Sequence, residues 1–173
     1  INYGGYYYDD RWVPIANKLI EHYNLDNNSR VLDVGCGKGY LLYEIKKLLP
    51  KSDVRGLDIS DYAIKNSKKE ISEYLKLGNA NHLPYENNEF DLVISLNTLH
   101  NLYCYDLIGS LKEIERVSKN NKYVCVESYR NEIEKVNLLY WQVTCECFFT
   151  PDEWKWFFKE SGYTGDYSFI YFE

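Results

Sequence analysis

Three glycines at every second position, Gly35, Gly37 and Gly39, follow the run Val31-Leu32-Asp33-Val34 and lead straight into a helical pattern beginning at Tyr40. An aliphatic, β-branched run that meets glycines and then a helix reads as strand, sharp turn, helix. Residues without a Cβ let the chain reverse there and let bare backbone approach a ligand. The spacing restricts which ligand. A dinucleotide fingerprint is G-x-G-x-x-G, and its third glycine would fall at position 40, which is tyrosine. The pattern is instead D-x-G-x-G-x-G.

Strand and helix patterns alternate from residue 30 onward, which predicts an α/β fold: a Rossmann-like, doubly wound, mostly parallel sheet of six or seven strands with helices on both faces. Strands are expected near 30–34, 53–58, 74–77, 90–96, 122–128 and 166–172, and helices near 13–24, 39–49, 61–72, 105–118 and 151–161. The first, fourth and fifth strands are near-continuous apolar runs, as strands covered on both faces should be. The ligand crevice of such a sheet lies beyond the carboxyl ends of its strands, where the strand order reverses. One cleft should therefore gather Asp33 to Gly39, Asp58, Asn79 and Ser95 to Asn101.

The glycine loop resembles the first motif of class I S-adenosylmethionine (SAM)-dependent methyltransferases, of the small-molecule, type 11-like kind. Three further motifs follow in family order. Asp53-Val54-Arg55-Gly56-Leu57-Asp58-Ile59 ends on an acidic residue, and Gly78-Asn79-Ala80 stands where the family has G-D-A. Leu83-Pro84-Tyr85 then leads to the strand Glu89-Phe90-Asp91-Leu92-Val93-Ile94-Ser95. The likeness runs over roughly residues 28–128. It implies a cofactor, SAM, with S-adenosylhomocysteine as its product. Asp33, Gly35, Cys36, Gly37 and Gly39 would hold the methionine part. Asp58 would accept hydrogen bonds from both ribose hydroxyls, which a carboxylate is suited to do. Ile59, Asn79, Ala80 and Leu96 would surround the rest of the molecule, with Asn79 an uncharged substitute for the family's acidic residue. The family's strand order is 3-2-1-4-5-7-6 with a reversed strand near the end. This chain is short for that last hairpin, so either residues 142–149 supply a strand or the sheet has six.

Methyl transfer is an in-line displacement at a carbon already activated by a sulfonium, so the protein has mainly to position the acceptor. A base is needed only if the nucleophile must lose a proton. After the fourth strand the chain reads Ser95-Leu96-Asn97-Thr98-Leu99-His100-Asn101. His100 is the candidate base because its ordinary pKa lies near neutrality, though it could equally cap the turn or pack on the cofactor. Asn97 and Asn101 could hold a polar acceptor, and the polar segment favours O- or N-methylation over C-methylation. By the same resemblance the N-terminal cap, residues 1–24, would roof the site, with Arg11 reaching a carboxylate and Tyr7 or Tyr8 lining the wall; the other reading is an ordinary helix lead-in with Asp9-Asp10 as cap charges. Residues 129–150, with Tyr129 at their start, are open to three uses: a substrate lid, a homodimer contact, or packing for the sheet edge.

Length and charge bound the rest. At 173 residues the chain reads as one domain, 1–173, and its net charge of −6 argues against nucleic acid as a partner. The segment after the fourth strand is not the tetrapeptide of enzymes that methylate nucleobase amines, and no proline precedes a cysteine. A small molecule is therefore the expected substrate. The sequence has no long apolar run and no visible signal peptide, which with five scattered cysteines suggests a cytoplasmic protein without a membrane partner. Cys145-x-Cys147 lacks a second ligand pair, so no metal is expected. A nicotinamide-dependent dehydrogenase is disfavoured by Tyr40, and the tyrosine–lysine pair Tyr43 and Lys47 sits on the wrong helix. A non-catalytic domain that binds cofactor or a partner on the same fold is the alternative function.

Overall fold

The computed structural model describes residues 7–173 and contains one six-stranded sheet. Its strands are β1 (Arg30–Val34), β2 (Asp53–Asp58), β3 (Leu75–Leu77), β4 (Phe90–Leu96), β5 (Ser118–Glu127) and β6 (Asp166–Ile170). They lie in the order β3-β2-β1-β4-β5-β6, and every neighbouring pair is parallel. The helices are α1 (Trp12–His22), α2 (Tyr40–Leu48), α3 (Asp61–Lys65), α4 (Lys69–Ser72), α5 (Cys104–Val117), α6 (Glu132–Trp141) and α7 (Pro151–Ser161).

The period of two along each strand divides the core. Leu32, Val34, Val93, Val124 and Val126 face α5 and α7, in a cluster closed by Leu111, Trp154 and Phe158. Val31, Val54, Leu92 and Ile94 face the other way, against Ala16 and Leu19 of α1 and Leu41, Leu42 and Ile45 of α2. The same alternation aims Asp33, Leu96, Cys125 and Glu127 toward the α1/α2 side, at the carboxyl ends of their strands. The order reverses between β1 and β4, so a crevice opens there.

Of the two ends left open for the sheet, the six-stranded one is adopted, without the family's reversed strand: β6 lies directly beside β5, Tyr123 opposite Asp166, and residues 142–149 form no strand. Two expectations need correcting. The helix expected over 61–72 is broken into α3 and α4. Ser67 donates both its Oγ, at 2.8 Å, and its N–H, at 3.3 Å, to the Ile64 carbonyl, which continued helix would need for the N–H of Lys68. Helix α6 was not expected. Its cap is Asn131, whose side chain accepts the Glu134 N–H at 3.0 Å. By contrast α7 has the expected capping box of Thr150 and Glu153, with proline at its first turn.

Candidate functional site

The glycine loop combines two tight contacts with one bare position. All three glycines have positive φ, +81° at Gly35, +54° at Gly37 and +70° at Gly39. A Cβ on Gly35 would lie 2.1 Å from Thr98 Oγ1, and one on Gly39 would lie 2.9 Å from Leu75. These two glycines let the loop pack on β4's exit and on β3. A Cβ on Gly37 would meet nothing within 4 Å. Its backbone lines open cleft, the close approach a ligand-holding loop requires.

Asp58, at the end of β2, is tied to this loop. Its Oδ2 accepts the Gly37 N–H at 2.7 Å, and its Oδ1 accepts the Ser60 N–H at 2.8 Å. Gly35 and Cys36 both donate to the Leu57 carbonyl, at 2.7 and 3.1 Å, so the loop is fastened to the end of β2. Asp33 lies deeper, 5% exposed. Burial, helped by the charge of Asp58, pushes its pKa up to about 8. A desolvated carboxyl of this kind favours a cationic partner.

Around these residues is a cleft of about 1310 Å³. Single small-molecule sites commonly measure about 300–1,000 Å³, so the space suffices for a cofactor and a second molecule. One end is walled by Asp33, Gly35 to Lys38, Asp58, Ile59 and Gly78 to Ala80. Leu96, Asn97, His100, Asn101, Glu127 and Gln142 wall the middle. Beyond them the floor is the face of β5 and β6, opposite α1, where Tyr23 Oη donates to Asp166 at 2.9 Å.

His100 is 1% exposed, and burial holds its pKa down at about 4, so the imidazole is neutral at pH 7. Its Nδ1 faces the Glu127 N–H at 3.4 Å and its Nε2 stands 3.5 Å from Glu127 Oε2. An imidazole with Nδ1 accepting carries its proton on Nε2, which leaves no lone pair directed at the cleft. Glu127 is itself 3% exposed, and burial raises its pKa to about 7. Asn97 is held at φ 55°, with its N–H on the Cys125 carbonyl at 2.9 Å. Asn101 Oδ1 accepts from Thr144 Oγ1 at 2.9 Å.

The sequence-predicted residues thus divide. Asp33, Gly35, Cys36, Gly37, Asp58, Ile59, Asn79, Ala80, Leu96, Asn97, His100, Asn101 and Arg11 all border the cleft. Gly39 does not, and acts as the left-handed N-cap of α2. Tyr8 turns to α2 instead: its hydroxyl donates to the buried Glu44 and its ring packs edge-on against Tyr40 and Tyr43, with both centroids at 5.5 Å. Tyr129 also lies off the cleft, under Lys135 Nζ at 5.2 Å. Tyr7 is exposed, and the part of the expected cap before it lies outside the described residues. Thr98 lies within the segment Ser95 to Asn101 expected at the cleft, α1 within the expected cap, and Gln142 and Thr144 within the segment expected to be a lid or a contact, but none of these side chains, nor Glu127, was singled out from the sequence. The acidic residue ending the apolar run 123–126 of β5 was the one signal available for Glu127.

A family model described as "Methyltransferase domain" matches residues 25–162. The chain belongs to the class I SAM-dependent methyltransferase family. The chain is 36% identical over 114 residues to a demethylmenaquinone methyltransferase of Lactiplantibacillus plantarum, covering 61% of this chain and 47% of the relative. It is also 36% identical over 89 residues to a mitochondrial arginine-hydroxylase of Mus musculus, covering 51% of this chain and 25% of that one. The chain therefore spans about half or less of these relatives' length. Among solved structures, the YcgJ protein of Bacillus subtilis matches with a TM-score of 0.69 at 18% identity, covering 88% of this chain and 68% of that one, a likeness of fold. Relatives of such different names share the scaffold, so the reaction has to be argued from the site.

Proposed function

We propose that this chain transfers a methyl group from SAM to the oxygen or nitrogen of a small polar acceptor. The observation that carries this reading is the bare Gly37 backbone fastened to the Asp58 carboxylate at the reversal point of the sheet. A ligand that lies along such a loop and presents hydroxyls to Asp58 fits the donor set. Asp33 and the first amides of α2 suit the ammonium and carboxylate of the same molecule. Ile59, 71% exposed beside Asp58, offers an apolar face to an adenine, and Asn79 can accept from its amine. When bound, SAM supplies a methyl group already activated on a sulfonium. The chain's residues orient the acceptor against it, with Asn97 and Asn101 at the rim of the middle chamber. The net charge of −6 favours a small acceptor over nucleic acid.

Calorimetric titration with SAM, S-adenosylhomocysteine and NAD tests the cofactor. We expect micromolar binding of the first two, none of NAD, and a loss of at least 100-fold in Asp58→Ala with the fold retained. Well-folded wild type that binds neither SAM nor its product would overturn the reading.

A further inference from the structure

Two buried side-chain oxygens among the described residues have no hydrogen-bond partner: Tyr85 Oη and Glu127 Oε2. Tyr85 packs on Phe90 away from the cleft, with ring centroids 4.9 Å apart. Glu127 borders it.

Everything else about Glu127 is fixed. Its N–H faces His100 Nδ1 at 3.4 Å, and its carbonyl accepts from Trp154 Nε1 at 3.1 Å. Its Oε1 accepts from Gln142 Nε2. Gln142 is the residue just past α6, itself 8% exposed. The backbone of Glu127 is thus held by groups from two elements and its carboxyl by Gln142, and one carboxyl oxygen is left over. The nearest donor, His100 Nε2, is 3.5 Å away and makes no hydrogen bond to it. Leaving a buried carboxylate oxygen unpaired costs on the order of 1–3 kcal/mol or more, and the bond from Gln142 to Oε1 holds the carboxyl in this orientation. Such an atom, at a cleft wall and in a frame of this rigidity, is what a ligand's donor completes.

We infer that Glu127 Oε2 accepts a hydrogen bond from the methyl acceptor, so that the acceptor class is a molecule bearing an O–H or N–H at the reacting end. This rests on the methyltransferase reading for the word "acceptor", but the recognition itself does not need the cofactor. Gln142 sets the polarity. Because its Nε2 occupies Oε1, an amide at position 127 would keep its oxygen there and turn its N–H2 to the cleft. Glu127→Gln should therefore remove the preference for donors without removing volume.

The test uses phenol, aniline, fluorobenzene and benzaldehyde as probes. They are titrated by ligand-observed NMR at pH 8 into S-adenosylhomocysteine-loaded and cofactor-free protein. In the wild type we expect phenol and aniline to bind at least tenfold more tightly than fluorobenzene, a molecule of similar size that cannot donate. In Glu127→Gln that advantage should fall at least fivefold while benzaldehyde, which only accepts, gains. Unchanged S-adenosylhomocysteine affinity in the variant shows that its fold is intact. Equal binding of phenol, aniline and fluorobenzene to the wild type would overturn the inference, as would a donor advantage that survives in Glu127→Gln. If the wild type binds no S-adenosylhomocysteine, the methyltransferase reading fails on its own, and the cofactor-free titration still decides the role of Glu127.

Discussion

Two glycines two residues apart in one loop should behave differently when given a methyl group. At Gly35 an added Cβ overlaps the Thr98 side chain at 2.1 Å. Overpacking of this kind costs roughly 1–3 kcal/mol, which in a domain of this size is a fall in melting temperature of several degrees. At Gly37 no atom lies within 4 Å, and only the left-handed backbone at +54° is strained, for about 1–2 kcal/mol. Its Cβ would instead occupy the cleft. We expect Gly35→Ala to lose stability first and Gly37→Ala to lose S-adenosylhomocysteine affinity by at least tenfold with the smaller drop in melting temperature. Thermal scans with and without ligand separate the two. The roles of these residues were only partly legible in the sequence. Spacing alone located Asp33, Gly35, Gly37 and Asp58 at the cleft, because a strand, a turn and a helix of fixed length determine where each falls. It could not distinguish the glycine that packs from the glycine that faces ligand, since Thr98 is 63 residues from Gly35. Nor could it show that His100 is buried against Glu127, a contact between the exits of two different strands.

Elements whose boundaries are written in short local signals were read well, and those defined by their neighbours were not. Helix α7 has its cap, its proline and its terminal glycine in sequence, and it formed where expected, over Pro151–Ser161. Helix α6 has only Asn131 with Glu134 three residues on. Its apolar residues, with Ile133, Val136 and Tyr140 exposed and Leu138 buried, follow no single face. The all-parallel sheet edge depends on β6 pairing with β5, a long-range choice that periodicity does not encode. Helix α7 also supports the site, because Trp154 on its buried face holds the Glu127 carbonyl. Removing its cap in Thr150→Ala should cost about 1 kcal/mol and lower the melting temperature by about 2–4 °C. Amide exchange should quicken first in α7, and a uniform increase across the sheet would count against a local role for the cap.

For the molecule as a whole, the cleft is assembled at a cost in stability that varies with pH. The folded protein holds the Asp33 proton up to a pKa of about 8, whereas an unfolded aspartate releases it near 3.9. Between these values the unfolded chain binds fewer protons, so this group's contribution to stability falls as pH rises from about 4 to 8 and is constant above. Two other buried groups act in the same range with opposite signs. Glu127, raised to about 7, also loses stability as pH rises, while His100, lowered to about 4, gains it between 4 and its ordinary value. The pH profile of the wild type alone mixes all three. The difference between Asp33→Asn and the wild type cancels the other two, because an amide at position 33 is neutral throughout. We expect the variant to be the more stable protein, with an advantage in melting temperature that grows by about 10 °C between pH 5 and pH 8. It should also bind S-adenosylhomocysteine less tightly, having lost the charge that a cationic amine would pair with. A variant less stable than wild type at pH 8 would mean that Asp33 is ionised and paired within the free protein. Its carboxyl would then be a structural link between β1 and the loop, already satisfied before any ligand arrives.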